Sequence, residues 1–221
     1  MPAFIFDLDG TLVDSVYQHV AAWHSALRTC GFELPMWRIH RKIGMSGGLL
    51  LRALALELQT ELDDDAGQRL EELHGAEYAR LRETAHVFDK VPELLSTLRE
   101  QRVPYAVATT GSREDTQASI DLLALPPDVP VITREATGKP KPDPSLFMAA
   151  ADKLGTRSEE TMVVGDSVWD MLAARRAHFL GIGLLSGGYA ENELTGAGAF
   201  RVYADAAELL ARLHETGVEV R

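Results

Sequence analysis

Apolar and polar positions follow two different rhythms along this chain. Ala3, Phe4, Ile5 and Phe6 form an unbroken apolar run that stops at Asp7. A run that short, closed by Asp and Gly, predicts a buried strand rather than a helix. Beyond Asp14 the apolar positions fall three and four apart. Val20, Trp23, Ala26 and Leu27 share one side of a helix predicted over 16–28, with Ser15 placed to cap it and Gly31 to end it. A short helix is predicted over 36–43, a flexible turn over Gly44-Met45-Ser46-Gly47-Gly48, an apolar helix over 49–58 and a long amphipathic helix over 63–83. No strand is expected between 15 and 86.

From Val91 onward the two rhythms alternate. Pro92 suits the first turn of a helix that continues over 93–100; a strand is predicted over 104–109, a helix over 113–123 and a strand over 129–133. Asp143-Pro144 starts a helix that runs to Leu154, followed by a strand over 161–164 and a helix over 168–177. Further strands over 180–185 and 201–203 precede a closing helix over 205–214. Strands alternating with helices imply a parallel sheet with helices on both faces. The simplest parse joins 1–14 to 87–221 as one α/β domain, a Rossmann-like parallel sheet core, and makes 15–86 an all-helical insertion after the first strand.

Composition narrows the partners. The chain has 221 residues, 46% of them hydrophobic and 25% charged, which suits a folded core. A net charge of −11 argues against nucleic acid and anionic membrane, both of which call for basic patches. The same excess means that an anionic substrate needs a local cation. Cys30 is the single cysteine, so no internal disulfide forms. An apolar run of only four residues precedes Asp7 and no stretch approaches the roughly 20 apolar residues of a membrane span, so a soluble, cytoplasmic protein is expected.

The chemistry gathers where strands end. Asp7 and Asp9 stand one residue apart, and in an extended chain such residues point the same way. Like charges that close are costly unless a cation lies between them or one is protonated. A plain Asp-Gly turn is the bland alternative, and a calcium loop fails because Thr11 and Gln18 occupy its ligand positions. The strand at 104–109 runs into Thr109-Thr110-Gly111-Ser112, whose hydroxyl and N–H groups suit an anion. The strand at 161–164 ends in Gly165-Asp166-Ser167-Val168-Trp169-Asp170, where one helical turn aims Asp166 and Asp170 at one place. Between them, prolines stiffen a loop, Thr137 to Pro142, that holds Lys139 and Lys141. Each segment alone reads as a cap, a solvated loop or an exposed acidic pair; their order and placement together point to a site. Nucleotide P-loop, dinucleotide, zinc and serine-hydrolase patterns are missing from the sequence. Most of the seven histidines read as surface residues; His19, one helical turn before Trp23, is the exception, with helix packing as its alternative.

With these segments in order, the chain resembles the haloacid dehalogenase-like phosphatases, in the subgroup whose helical cap is inserted after the first strand. The four motifs stand here as Asp7-Leu8-Asp9-Gly10-Thr11, Thr110 with Gly111, Lys139 in Lys-Pro-Lys-Pro-Asp-Pro, and Gly165-Asp166-Ser167 with Asp170. The resemblance implies that Asp7 attacks phosphorus to form an aspartyl phosphate and that Asp9 protonates the leaving oxygen and later activates water. It implies that Thr110, Gly111 and Lys139 hold the phosphoryl group; Lys141 is the alternative to Lys139, and the family pattern favours the first of the two lysines. Mg²⁺ is implied at Asp7, Asp9, Asp166 and Asp170, Asp9 through its carbonyl and Asp170 directly or through water. His19 and Trp23 stand where some sugar-phosphate enzymes of the family carry His and Trp, which makes His19 a candidate substrate contact. The cap is expected to determine the substrate, and its turn at Gly44–Gly48 resembles the family's specificity loop, without the Arg that the mutases place there. The implied activity is hydrolysis of a small phosphorylated metabolite, phosphoglycolate or a sugar phosphate, by a monomer or homodimer. The alternatives are a phosphosugar mutase and a non-catalytic binding protein on the same fold.

Overall fold

The computed structural model describes residues 2–45 and 47–218. The chain begins with strand β1 (Ala3–Phe6), every residue of which is buried, and a two-residue strand β2 (Val13–Asp14). Four helices follow: α1 (Val16–Thr29), α2 (Met36–His40), α3 (Gly47–Leu58) and α4 (Asp64–Leu81). These helices belong to one compact unit, Ser15–Ala85, whose interior is built from Val20, Trp23, Leu27, Ile39, Leu54 and Leu70. Its helix starts are locally encoded to different degrees. Asp63 accepts a hydrogen bond from Ala66 N–H at 2.8 Å and so caps α4. Ser15 takes the corresponding position before α1 without its side chain making a cap bond. Helix α2 is three residues shorter than expected, and α3 begins at Gly47, inside the predicted turn; Ser46 of that turn lies outside the described residues.

The second unit joins Met1–Asp14 to His86–Arg221. Its elements in order are β3 (His86–Val87), α5 (Val91–Glu100), β4 (Tyr105–Ala108), α6 (Arg113–Leu122), β5 (Val131–Ile132), α7 (Ser145–Leu154), β6 (Thr161–Gly165), α8 (Val168–Arg176), β7 (Leu180–Leu184), α9 (Glu191–Ala197), β8 (Ala199–Tyr203) and α10 (Ala206–Ala211). Six strands form one sheet in the order β5-β4-β1-β6-β7-β8, with every neighbouring pair parallel. Central strands of such a sheet are covered on both faces, which is why β1 and β4 read as continuous apolar runs rather than as alternating ones. Ile5, Ala106, Val163, Phe147 and Ala173 pack into one core cluster between the sheet and α7 and α8. The register pairs Phe6 with Val164 on one side and with Val107 on the other. Asp7, Asp166 and Thr109 therefore leave the sheet at the same edge, where ligands of open parallel sheets bind.

Three further features depart from the sequence reading. His86–Val87 pairs antiparallel with Val13–Asp14, so a strand begins at 86, where none was expected up to that residue. A two-residue ladder has no periodicity to read. Helix α9 lies in the stretch after β7 where no helix was predicted; only Leu194 and Ala197 of its seven residues are buried, too few to set a helical rhythm. The closing helix stops at Ala211 and continues as a 3-10 turn over Leu213–Thr216. Among the described residues no helix is long and apolar enough to cross a membrane.

Candidate active site

The site starts from the loop after β1. Asp7 N–H donates to Val164 O at 2.9 Å, which carries the β1–β6 pairing one residue past the strand. The chain then turns tightly: Leu8 O accepts from Leu12 N–H at 2.9 Å and Val13 N–H at 3.0 Å, and Gly10, at φ +83, donates its N–H to Val13 O at 2.8 Å. The positive φ is what requires glycine at position 10. Asp7 is buried and Asp9 half-buried. Thr11, inside the same loop, donates its hydroxyl to Asp166 Oδ1 at 2.9 Å.

Asp166 and Asp170 come from the start of α8. Ser167 is its N-cap: Asp170 N–H donates to Ser167 Oγ, while Asp170 Oδ2 accepts from Ser167 N–H at 3.1 Å and from its hydroxyl at 2.5 Å. This capping box fixes the Asp170 carboxylate and directs Oδ1 elsewhere. A Cβ at Gly165 would fall 2.4 Å from Asp170 Cβ, so the strand can pass this close only with glycine there.

Lys141 completes the cluster. Its ammonium lies 2.6 Å from Asp7 Oδ1 and 2.6 Å from Asp170 Oδ1, and the side chain is 1% exposed. The Phe147 ring on α7 sits 5.2 Å from the ammonium. Burial pushes Asp7 up to about 7, with Asp170 adding to the rise and Lys141 opposing it. Burial likewise holds Asp166 well above the usual carboxylate range, reinforced by Asp170 and Asp7. For Lys141, burial pulls the ammonium down, but Asp170 and Asp7 outweigh it and the net shift is upward. Asp7, Asp166 and Asp170 each bring one oxygen within 4.8 Å of the others, a group that could hold a metal ion. Three buried carboxylates against one ammonium are under-neutralised, and an all-oxygen donor set suits a hard divalent cation. The residues fit such an ion.

The structure thus brings together Asp7, Asp166 and Asp170 of the predicted residues. Thr110 and Gly111 follow β4, the strand beside β1, and lie half-buried on the same sheet edge. Gly111 is a close-packed position, since a Cβ there would lie 2.3 Å from Thr116 Cγ2. Asp9 lies outside the three-carboxylate group, although its charge reaches Asp7 and raises it. The lysine requires a correction: Lys139 is exposed, and the lysine that meets Asp7 is Lys141. The usable signal was distance from the helix rather than order in the loop, because Lys141 stands just ahead of α7 and reaches the buried Phe147 of its first turn. Thr11 and Ser167 were not singled out either; each is buried and holds a site carboxylate.

His19 lies in the helical unit, stacked on Tyr78 at 3.8 Å, with Nδ1 3.1 Å from His74 Nε2. Trp23 stacks on His74 at 4.3 Å, so these rings join α1 to α4. This arrangement supports the packing reading of His19.

Comparison with known proteins agrees with this geometry. The family model described as haloacid dehalogenase-like hydrolase matches residues 1–178. A phosphoglycolate phosphatase of Rhodospirillum rubrum is 31% identical over 214 residues, covering 94% of this chain and 88% of the relative. Hexitol phosphatase A of Escherichia coli is 30% identical over 176 residues, 79% of this chain and 78% of its own. The crystal structure of a hydrolase from Pseudomonas syringae superposes with a TM-score of 0.93 at 47% identity, covering 97% of this chain and 99% of that one. This chain, in which Lys141 lies between buried carboxylates at the carboxyl edge of a parallel sheet, belongs to the haloacid dehalogenase-like hydrolase family.

Proposed function

We propose that this phosphatase hydrolyses a small phosphate monoester, phosphoglycolate or a sugar phosphate, in a Mg²⁺-dependent reaction through an aspartyl phosphate on Asp7. The observation that carries the reading is the buried cluster of Asp7, Lys141, Asp170 and Asp166 at the edge where β1 and β6 end. Asp7 attacks phosphorus, and the bond to the ester oxygen breaks as Asp9 gives that oxygen a proton. Asp9, now ionised, takes a proton from water as it attacks the phosphoryl group on Asp7, releasing inorganic phosphate. Lys141, rather than Lys139, offsets the charge of nucleophile and phosphoryl oxygens. Thr110 holds those oxygens beside Gly111, whose own N–H donates to Thr109 Oγ1 at 3.1 Å. Asp7 and Asp166, with the Asp9 carbonyl and Asp170, would hold Mg²⁺, which when bound offsets the repulsion between a carboxylate nucleophile and a phosphate dianion.

One observation in the helical unit speaks against mutase chemistry. A mutase grips a second phosphate with a free cation, yet Lys42, one of the basic residues flanking the turn at Gly44–Gly48 beside Arg41 and Arg52, meets Glu57 at 3.0 Å, a carboxylate it shares with Arg38. The test is phosphate release from 2-phosphoglycolate, hexitol phosphates and hexose phosphates with Mg²⁺, ranked by kcat/KM. A phosphorus NMR time course on a hexose 1-phosphate with a trace of bisphosphate runs beside it. Inorganic phosphate as the accumulating product supports the reading; hexose 6-phosphate with little phosphate overturns it.

A further inference from the structure

The turn after β7 has no part in the mechanism above, yet two of its residues reach the site, one at Gly10 and one at Asp166. Leu185–Gly187 form a single 3-10 turn, closed by Gly188 N–H donating to Leu185 O at 3.0 Å. Both ends of the turn are anchored. Upstream, β7 is paired on both sides, with Gly183 opposite Gly165 and Val202. Downstream, Tyr189 is buried in an apolar cluster with Met171, Leu194 and Ala197, and Met171 is the residue after Asp170.

From this fixed turn Ser186 donates its hydroxyl to Gly10 O at 2.6 Å, a contact across 176 positions of sequence. Gly10 sits between Asp9 and Thr11, in the loop whose φ +83 turn sets where both point. Gly187 lies against Asp166: a Cβ at this position would fall 1.8 Å from Asp166 Oδ2 and 2.5 Å from its Cγ. The neighbour in the way is a carboxylate already held on its other oxygen by Thr11. It cannot turn aside without losing that bond.

We infer that the Ser186–Gly187 turn is a positioning element for the site: Gly187 walls Asp166 into the orientation that faces Asp7 and Asp170, and Ser186 fixes the Gly10 turn and with it Asp9. The inference rests on the Mg²⁺-dependent phosphatase reading and extends it to residues outside the four motifs. The two legs have separate consequences. Gly187 acts on the metal through Asp166. Ser186 acts on turnover through the Asp9 loop, without touching substrate.

The experiment uses the full chain with Gly187→Ala, Ser186→Ala and Ser186→Thr. Mg²⁺ binding is measured by calorimetry, steady-state phosphate release at saturating Mg²⁺, and melting temperature for each. Residues that orient metal ligands typically change affinity or activity about 10- to 100-fold, so Gly187→Ala is expected to weaken Mg²⁺ by that range. Ser186→Ala is expected to lower kcat about tenfold with KM nearly unchanged, and Ser186→Thr, which keeps the hydroxyl, to recover most of the loss. Wild-type Mg²⁺ affinity in Gly187→Ala overturns the inference. So does Ser186→Ala that melts lower but turns over normally, the result of a purely structural staple. Should Gly187→Ala not fold, the two Ser186 variants decide the question. A wild type that neither binds Mg²⁺ nor releases phosphate brings down the underlying reading together with this one; an active wild type with unmoved variants brings down this one alone.

Discussion

The α/β unit holds the Lys141 ammonium between two carboxylates and the helical unit holds the Glu57 carboxylate between two cations, and the two clusters behave differently. In the α/β unit the ammonium of Lys141 bridges Asp7 and Asp170, all three buried. In the helical unit the carboxylate of Glu57 bridges Lys42 and Arg38, with a quarter of its side chain exposed (25%). Water still solvates the second cluster, so its net worth is that of a partly exposed ion pair, roughly 0.2–1 kcal/mol. The first has given up its hydration. Burial there raises Asp7 and Asp166, whereas the hydrogen bond from Lys42 holds Glu57 below its usual range. A bridge that costs this much to bury points to chemistry; one that water supports points to packing. Perturbed groups collect at functional sites for that reason.

The largest break in this comparison comes from Asp7, the proposed nucleophile. Asp7→Asn is nearly isosteric and removes one buried charge, so the fold is expected to survive while phosphate release falls by at least about a thousandfold. Circular dichroism and a phosphate-release assay on the same sample check it. Undiminished release from folded Asp7→Asn would sink the aspartyl-phosphate reading.

The lysine comes next. Lys141→Met leaves three buried carboxylates without their ammonium, a loss of about 3–5 kcal/mol for breaking a buried pair. If Lys141 has the proposed charge-offsetting role, its loss should also reduce kcat about 10²- to 10³-fold. Lys139→Met, at an exposed position, is expected to leave both quantities near wild type. Chemical denaturation and steady-state kinetics on the two variants decide between the lysines; the reverse pattern would restore Lys139.

These two residues show where the sequence was readable and where it stopped. Strands and helices of the sheet unit were legible because apolar runs at 3–6, 105–108 and 161–164 are bounded by Gly, Pro and Asp, and their carboxyl ends carry the acidic and hydroxyl residues. Asp7, Asp166 and Asp170 could be placed together because each stands at or just past the carboxyl end of a predicted parallel strand, in the order of the motifs the chain resembles. Lys141 could not be read the same way. A lysine is ordinarily exposed, two lysines stood two residues apart, and only the packing of Phe147 distinguishes the buried one. The turn at Ser186–Gly187 was visible as a sequence, but its contact with Gly10 and Asp166 depends on strand order, which no local pattern encodes.

Removing metal tests the cost of the buried cluster directly. A carboxylate whose folded value is raised binds its proton more tightly when folded, so stability falls as pH rises between the unfolded and folded values. For Asp7 that window runs from 3.8 to about 7. Chelated protein is therefore expected to melt at progressively lower temperature from about pH 4 to pH 7, and Mg²⁺ to stabilise it more at pH 7 than at pH 5. The slope should be smaller in Asp7→Asn. A chelated wild type whose melting temperature does not fall over this window would remove the electrostatic argument for a metal.

The smallest effect belongs to Glu57, and it sharpens the contrast because its sign is opposite. Its folded value is lowered from 4.5, chiefly by the hydrogen bond from Lys42. A depressed carboxylate contributes stability that is fully present above its unfolded value and lost as pH falls through the folded one. Glu57→Gln should then destabilise by no more than about 1 kcal/mol at pH 7, and the difference from wild type should shrink once pH drops well below 4.5. The same variant releases Lys42 and Arg38 from their shared partner, the change a second-phosphate grip would need. Phosphate is nonetheless expected to remain the product, because a freed cation is only one requirement of a second-phosphate grip, and Lys42 and Arg38 without Glu57 are no longer held in one orientation. Thermal melts across pH, paired with the phosphorus NMR time course, read both outcomes from one protein. Hexose 6-phosphate accumulating in Glu57→Gln would mean that Glu57 itself holds the enzyme to hydrolysis. A melting difference that grows toward low pH would mean that the bridge is not what holds Glu57 ionised.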